Sequence, residues 1–181
     1  MFDLIVRLKA NFLWPAMWAS FVPEPGRIFF TDDPENQQLA DDYGVVVSTS
    51  HHEPMQRASN EWKNVGEGPW NFVENRDEVV KFMDEGVRRA GNKESYFTLG
   101  MRGENDGPIE GDDPAAILEE VISTQRQLIA KYHGNETGAP RKFPRVVADS
   151  YRRWADCQKR SGPRTRKFRH TMRLVWTRPP M

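Results

Sequence analysis

Cysteine, histidine, net charge and long apolar runs are what this 181-residue chain has least of. The single cysteine, Cys157, can form no internal disulfide and offers no thiolate cluster. Two histidines four apart on a helix, the arrangement of zinc hydrolases, do not occur among the four present, so neither a metal nor a cofactor is expected. No apolar run approaches the ~18–20 residues of a spanning helix, and 29% charged against 38% apolar residues argues against a membrane protein. The start lacks the basic end and pure apolar run of a secretory signal, since Met1 is followed by Phe2 and Asp3. Net charge is zero, with 26 Lys+Arg and 26 Asp+Glu. Taken whole, that excludes a polyanion binder.

The zero is a cancellation. Residues 141–181 carry 13 bases and only two acids, Asp149 and Asp156, for a charge of +11, while residues 1–140 sum to −11. Such asymmetry marks a basic tail or a sequence of mixed origin.

The acidic part alternates short apolar runs with helical patterns. Leu4, Ile5 and Leu8 have helical spacing, so Met1 to Lys9 reads as a helix end, and Asn11 to Trp14 as a short buried strand. Asp33 with Pro34 opens a helix whose Leu39 and Tyr43 share a face, and Gly44 closes it. Val45-Val46-Val47 is a β-branched run suited to a parallel strand covered on both faces. A helix is expected from Met55 through Trp62. Asn75 with Glu78 predicts a capping box ahead of the stripe Val79, Val80, Phe82, Met83 and Val87, which Gly91 ends. Ser95 to Leu99 is strand-like. Asp113-Pro114 opens a last helix carrying Ile117, Leu118, Val121, Ile122, Leu128, Ile129 and Tyr132 on its core face.

Three strand–loop–helix units in this order argue for a parallel sheet, either a barrel or a doubly wound fold. Three units are too few to close a (β/α)8 barrel, so the chain is expected to be part of one. Residues 1–138 are assigned to it. Residues 139–181 show no sustained period and are expected to be a divergent, poorly ordered basic tail.

Polar loops follow the strands, where α/β barrels build their sites. Arg102, Glu104 and Asp106 lie within five residues between glycines. Arginine's planar fork can hold a carboxylate or phosphate through two hydrogen bonds, and a neighbouring carboxylate can move a proton. An Arg–Asp pair that merely locks the loop accounts for the same pattern. His51, His52 and Glu53 could hold a sugar hydroxyl or simply bond within their loop. Trp14, Trp18, Trp62 and Trp70 suit stacking on the apolar face of a sugar ring and equally suit the core. The basic run Arg164 to Arg169 has the composition of a nucleic-acid patch and, more simply, of a solvated tail.

These loops carry a family resemblance. The stretches Arg7–Trp18, Phe29–Asn36, Val47–Arg57, Glu94–Gly103, Asp112–Ala116 and Ile122–Arg126 occur in order as in the glycoside hydrolase family 115 α-glucuronidases, particularly fungal ones. The resemblance covers about residues 2–135 and a middle slice of a much longer enzyme. It implies a partial (β/α)8 barrel that removes α-linked glucuronic acid, or its 4-O-methyl form, from glucuronoxylan side chains with inversion. It also implies an extracellular setting, a xylan-derived partner, no membrane, and Asp106 as a catalytic carboxylate. Arg102 would then bind the uronate carboxylate, with His51, His52, Glu53 and Trp14 lining the same pocket.

The likeness fades later in the chain. The family's Tyr-Lys-Glu segment is met only by Tyr151-Arg152-Arg153, and Leu174–Trp176 is at best a remnant of a following strand. With site partners missing, the chain alone is expected to have little or no activity. A noncatalytic sugar-binding remnant is one alternative; nucleic-acid binding through the tail is a weaker one. A shifted reading frame or a retained intron would replace acids by bases in this way. Translating the genomic region in the other two frames is expected to reveal a family-like continuation, and finding none in either frame would refute it.

Overall fold

The computed structural model describes residues 1–15, 30–51, 53–104, 107–133 and 145–147. Helix α1 (Phe2–Arg7) leads into strand β1 (Phe12–Leu13), and helix α2 (Asn36–Asp42) into strand β2 (Val46–Val47). A 3-10 turn at Pro54–Gln56 and helix α3 (Ser59–Val65) follow. Helix α4 (Arg76–Ala90) precedes strand β3 (Tyr96–Thr98), and helix α5 (Pro114–His133) precedes strand β4 (Arg145–Val147). The chain is thus a mixed α/β structure with few, short strands.

Among the described residues all strand pairing is parallel. β1 lies beside β2 with Phe12 opposite Val46, and β3 beside β4 with Phe97 opposite Val146. A parallel bridge from Val47 to Ser95 joins the two pairs, so the strands run β1-β2-β3-β4 in chain order. β4 falls inside the stretch whose pattern predicted no element. Two valines in an otherwise polar and basic segment are too few to register as a period. The remainder of the 139–181 segment lies outside the described residues.

Val46, Val47, Phe97 and Thr98 are all buried, as expected of strands covered on both faces. One core cluster unites Val79, Met83 and Val87 of α4 with Phe97, Leu99 and Met101 of β3 and its extension, and with Val121 and Ile129 of α5. A second joins Phe2, Phe30, Ala40, Val45, Val47 and Ala58. Each fully buried side chain contributes about 1.5–3 kcal/mol, so these apolar stripes fix how the helices sit against the strands.

Several local expectations hold. Asp113 caps α5, its Oδ1 accepting from the N–H groups of Ala115 and Ala116 at 3.2 Å each. Gly44 and Gly91 end their helices at positive φ, 67° and 54°. Two expectations need correction. Asn75 occupies the N-cap of α4 without capping it, because its side chain donates instead to the carbonyls of Glu67 and Pro69; Glu78 pairs with Lys81 at 3.1 Å. Leu39 and Tyr43, four apart along α2, are 44% and 43% exposed, and the helix buries Gln37 and Ala40. The amide of Gln37 reaches Ser95 Oγ at 2.7 Å, so a polar bond to the strand sets the orientation of this helix.

The second correction concerns residues 55–62. Met55 and Gln56 both adopt positive φ, 58° and 57°, which interrupts any helix before Ser59. Two consecutive non-glycine residues in this region cost of order 1–3 kcal/mol each. Burial and bonding hold them there. Met55 is fully buried, Gln56 donates to Tyr96 O at 3.4 Å, and Arg89 of α4 donates to Gln56 O. Gly86 permits this approach, since a Cβ there would overlap the Met55 carbonyl oxygen.

At the end of α5, His133 lies 6.0 Å from the Phe97 ring, and its Nε2 is buried without a hydrogen-bond partner. Burial lowers its pKa from the ordinary value of 6.5. The unfolded chain therefore takes up this proton first as pH falls, and the stability present above pH 6.5 is lost below it. The thermal midpoint is expected to drop between pH 7.5 and 5.5, and His133→Leu to shrink that drop. An identical drop in the variant would contradict this.

Candidate active site

Parallel strands deliver their following loops to one edge of the sheet, and three such loops are described. The first is short: Trp14 leaves β1 42% exposed, available for stacking, and Pro15 behind it is buried. Of the other tryptophans considered, Trp62 and Trp70 belong to an internal aromatic group, and Trp18 lies outside the described residues.

The loop after β2 turns inward. Glu53 is fully buried, its Oε2 accepting from Ser50 Oγ and its N–H donating to Ser50 O at 3.1 Å. Thr49 Oγ1 donates to Glu53 O, and Thr98 Oγ1 donates to Thr49 O. The loop is thereby laced to itself and to the end of β3. His51 is exposed at its tip, and His52 lies outside the described residues.

Behind this loop sits a charged brace. Arg57 is buried, ion-paired to Glu61 at 3.1 Å, and stacked 3.9 Å above the Phe82 ring. Arg89 meets the same Glu61 oxygen at 2.8 Å, and Glu61 Oε2 accepts from Ala58 N. Burial pushes the Arg57 guanidinium below the usual arginine range, opposed by the Glu61 charge. Two cations on one carboxylate tie the loop's exit to α4.

The loop after β3 begins at Gly100, whose φ of 121° suits glycine alone. Its N–H donates to Gln125 Oε1 at 2.7 Å, and its carbonyl accepts from Gln125 Nε2 at 2.8 Å. The buried amide of α5 thus satisfies both groups of one peptide residue. Two residues on comes Arg102, half-buried, its carbonyl accepting from Trp70 Nε1 at 2.8 Å. Beyond it the loop closes on itself, with Gly103 N donating to Gly107 O at 3.1 Å and Gly107 N to Glu104 O at 2.8 Å. Glu104 is exposed; Asp106 lies outside the described residues.

Of the sequence candidates, the structure therefore places Trp14, His51, Glu53 and Arg102 in loops on one sheet edge. It adds side chains that the sequence did not single out for this: Ser50 and Thr49 under Glu53, Gln125 under Gly100, and Trp70 under Arg102. Among the described residues no three His, Cys, Asp or Glu side chains converge as a metal site requires, and no helix is long and apolar enough to cross a membrane.

The profile of glycosyl hydrolase family 115 matches residues 1–155. The chain belongs to this family. The match runs past Gly138 and through β4. Among solved structures, a family 115 4-O-methyl-α-glucuronidase with specificity for decorated arabinogalactans is similar at 36% identity with a TM-score of 0.64. The alignment covers 72% of this chain and 17% of that one, so the family 115 chain described here spans about a sixth of its neighbour's length. No protein of curated function matches it.

Within this family 115 site, Gln125 is the most testable support. Replacing it by leucine keeps a similar bulk and orphans both polar groups of buried Gly100. Each unsatisfied group costs about 1–3 kcal/mol, so Gln125→Leu is expected to lose about 2–6 kcal/mol in denaturant unfolding. A loss below about 1 kcal/mol would mean that the Gly100 peptide finds water or another partner.

Proposed function

We propose that this chain is a slice of the (β/α)8 catalytic barrel of an inverting α-glucuronidase, contributing the uronate-binding wall of the active site. The observation that carries the reading is the parallel strand order β1-β2-β3-β4, each polar loop leaving the same edge, in a chain of family 115. A doubly wound sheet reverses its order at a switch point; a barrel adds each strand beside the last and builds its site at the strands' C-terminal ends.

In this reading Arg102 binds the carboxylate of (4-O-methyl)glucuronic acid through its planar fork. Asp106 is one of two carboxyls that share the work of inversion. One carboxyl protonates the leaving xylan oxygen while the other takes a proton from the attacking water, the two standing roughly 6.5–9.5 Å apart. The anomeric C–O bond to xylan breaks as the water oxygen bonds from the opposite face. Trp14 offers a stacking face, and His51, His52 and Glu53 shape the adjoining wall. The polymer acted on is glucuronoxylan, outside the cell. The similar solved enzyme has specificity for decorated arabinogalactans, so polymer choice is part of the proposal.

The second carboxyl is absent from the recognisable loops. Each positioned proton transfer contributes roughly 10²–10⁴-fold, so the purified chain alone is expected to release no uronate above background from glucuronoxylan or decorated arabinogalactan. The direct test exchanges residues 1–133 for the corresponding segment of an active family 115 enzyme. The hybrid should release methylglucuronic acid from glucuronoxylan. Arg102→Ala should then lower kcat/KM by about a hundredfold, the scale of losing a buried charged hydrogen-bond partner. An unchanged rate after Arg102→Ala would remove the uronate reading.

A further inference from the structure

Trp70 stands 32 residues before the arginine it touches, in a loop that carries no chemistry of its own. Its indole is fixed on both flanks: the Trp62 ring lies at 5.1 Å and 61°, and the Phe82 ring at 5.7 Å and 77°. Trp62 and Phe82 also meet edge to face, at 5.2 Å and 88°. Three mutually tilted rings leave the indole little freedom of rotation. The N–H is thus aimed at one acceptor, the Arg102 carbonyl, at 2.8 Å.

The next residue extends the same grip. Asn71, buried, accepts from the N–H groups of Val73 and Glu74 at 2.9 and 3.2 Å and donates from Nδ2 to Glu110 Oε2 at 3.0 Å. Trp70 and Asn71 therefore bind the loop after β3 at its start and near its end. Between these points, Gly103 packs so closely on the Pro108 carbonyl that a Cβ would not fit. Gln125 fixes the preceding Gly100. The Arg102 backbone is held from both sides, while its side chain points from a half-buried position.

We infer that Trp70 is a positioning residue for uronate recognition: its indole N–H sets the backbone of Arg102 so that the guanidinium meets a sugar carboxylate in a fixed orientation. The inference rests on the proposed role of Arg102. A bidentate pair rewards such pre-setting, because both N–H groups must align with both oxygens at once. Trp70 acts through the Arg102 backbone, which distinguishes this role from stacking on a sugar face.

The test uses the full 181-residue chain, with 4-O-methyl-D-glucuronic acid as probe and binding followed by calorimetry or NMR. Trp70→Phe keeps an aromatic ring in the cluster and removes the N–H. It should weaken binding about three- to tenfold, the scale of one hydrogen bond, while shifting the thermal midpoint by only a few degrees. In an Arg102→Ala background the same change should have no further effect on binding, since the coupling passes through Arg102. Should Trp70→Phe fold poorly, the parent supplies a second readout. Its Trp70 indole resonance should shift on adding the probe and stay still in Arg102→Ala.

Unchanged affinity in Trp70→Phe, losses that add to those of Arg102→Ala, or an indole resonance blind to the probe would each overturn the inference and leave the Arg102 reading intact. Absent binding by the parent chain, or full binding by Arg102→Ala, would instead overturn the Arg102 reading and the inference with it.

Discussion

The bond pair between the Gln125 amide and the Gly100 peptide is the constraint on which the loop after β3 depends. β3 is buried on both faces, and the chain must leave it without stranding polar groups in an apolar core. At Gly100 the backbone bends through a conformation that suits glycine, so both peptide groups turn away from the strand ladder. A side chain carrying both donor and acceptor, fully buried on α5, is the economical answer. Leu118, Val121 and Ile129 fix α5 against the core and so carry Gln125 to its place. The apolar stripe of one helix thereby determines where the loop bearing Arg102 begins.

The loop after β2 meets the same problem differently. Here strain is accepted at Met55 and Gln56 and held by burial, by Arg89, and by the missing side chain at Gly86. In the Arg57–Glu61–Arg89 group, Arg57 is buried and the other two are half-buried, so desolvation offsets much of the ionic attraction. The group's effect is geometric: it binds the exit of the loop to α4, the helix whose Phe82 also packs under Trp62 and Trp70. The two loops thus share one support around Phe82.

Local features were legible from the residues. Asp113-Pro114, Gly44 and Gly91 act within a few residues of themselves, and the structure uses them as their chemistry suggests. The parallel character of the sheet followed from Val45-Val46-Val47 and from the alternation of runs. What escaped was long-range. Asn75 looked like a cap because the chain before it was unknown, and that chain offers carbonyls its amide prefers. The burial of Gln37 escaped because periodicity cannot know that its amide bonds to Ser95. The site divided in the same way. Arg102, Glu53 and Trp14 were marked by their place after strands, whereas Gln125 and Trp70 act across 25 and 32 residues and carry no local signal.

The account turns on a charge, through the proposal that Arg102 meets a sugar carboxylate. The most direct measurement compares the affinity of the chain for 4-O-methyl-D-glucuronic acid and for 4-O-methyl-D-glucose, which differ only in the group on C5. The account predicts that the acid binds about tenfold or more tightly, as a charge-assisted bidentate pair requires, and that the advantage disappears in Arg102→Ala. Equal affinity for the two sugars in the parent chain would contradict it.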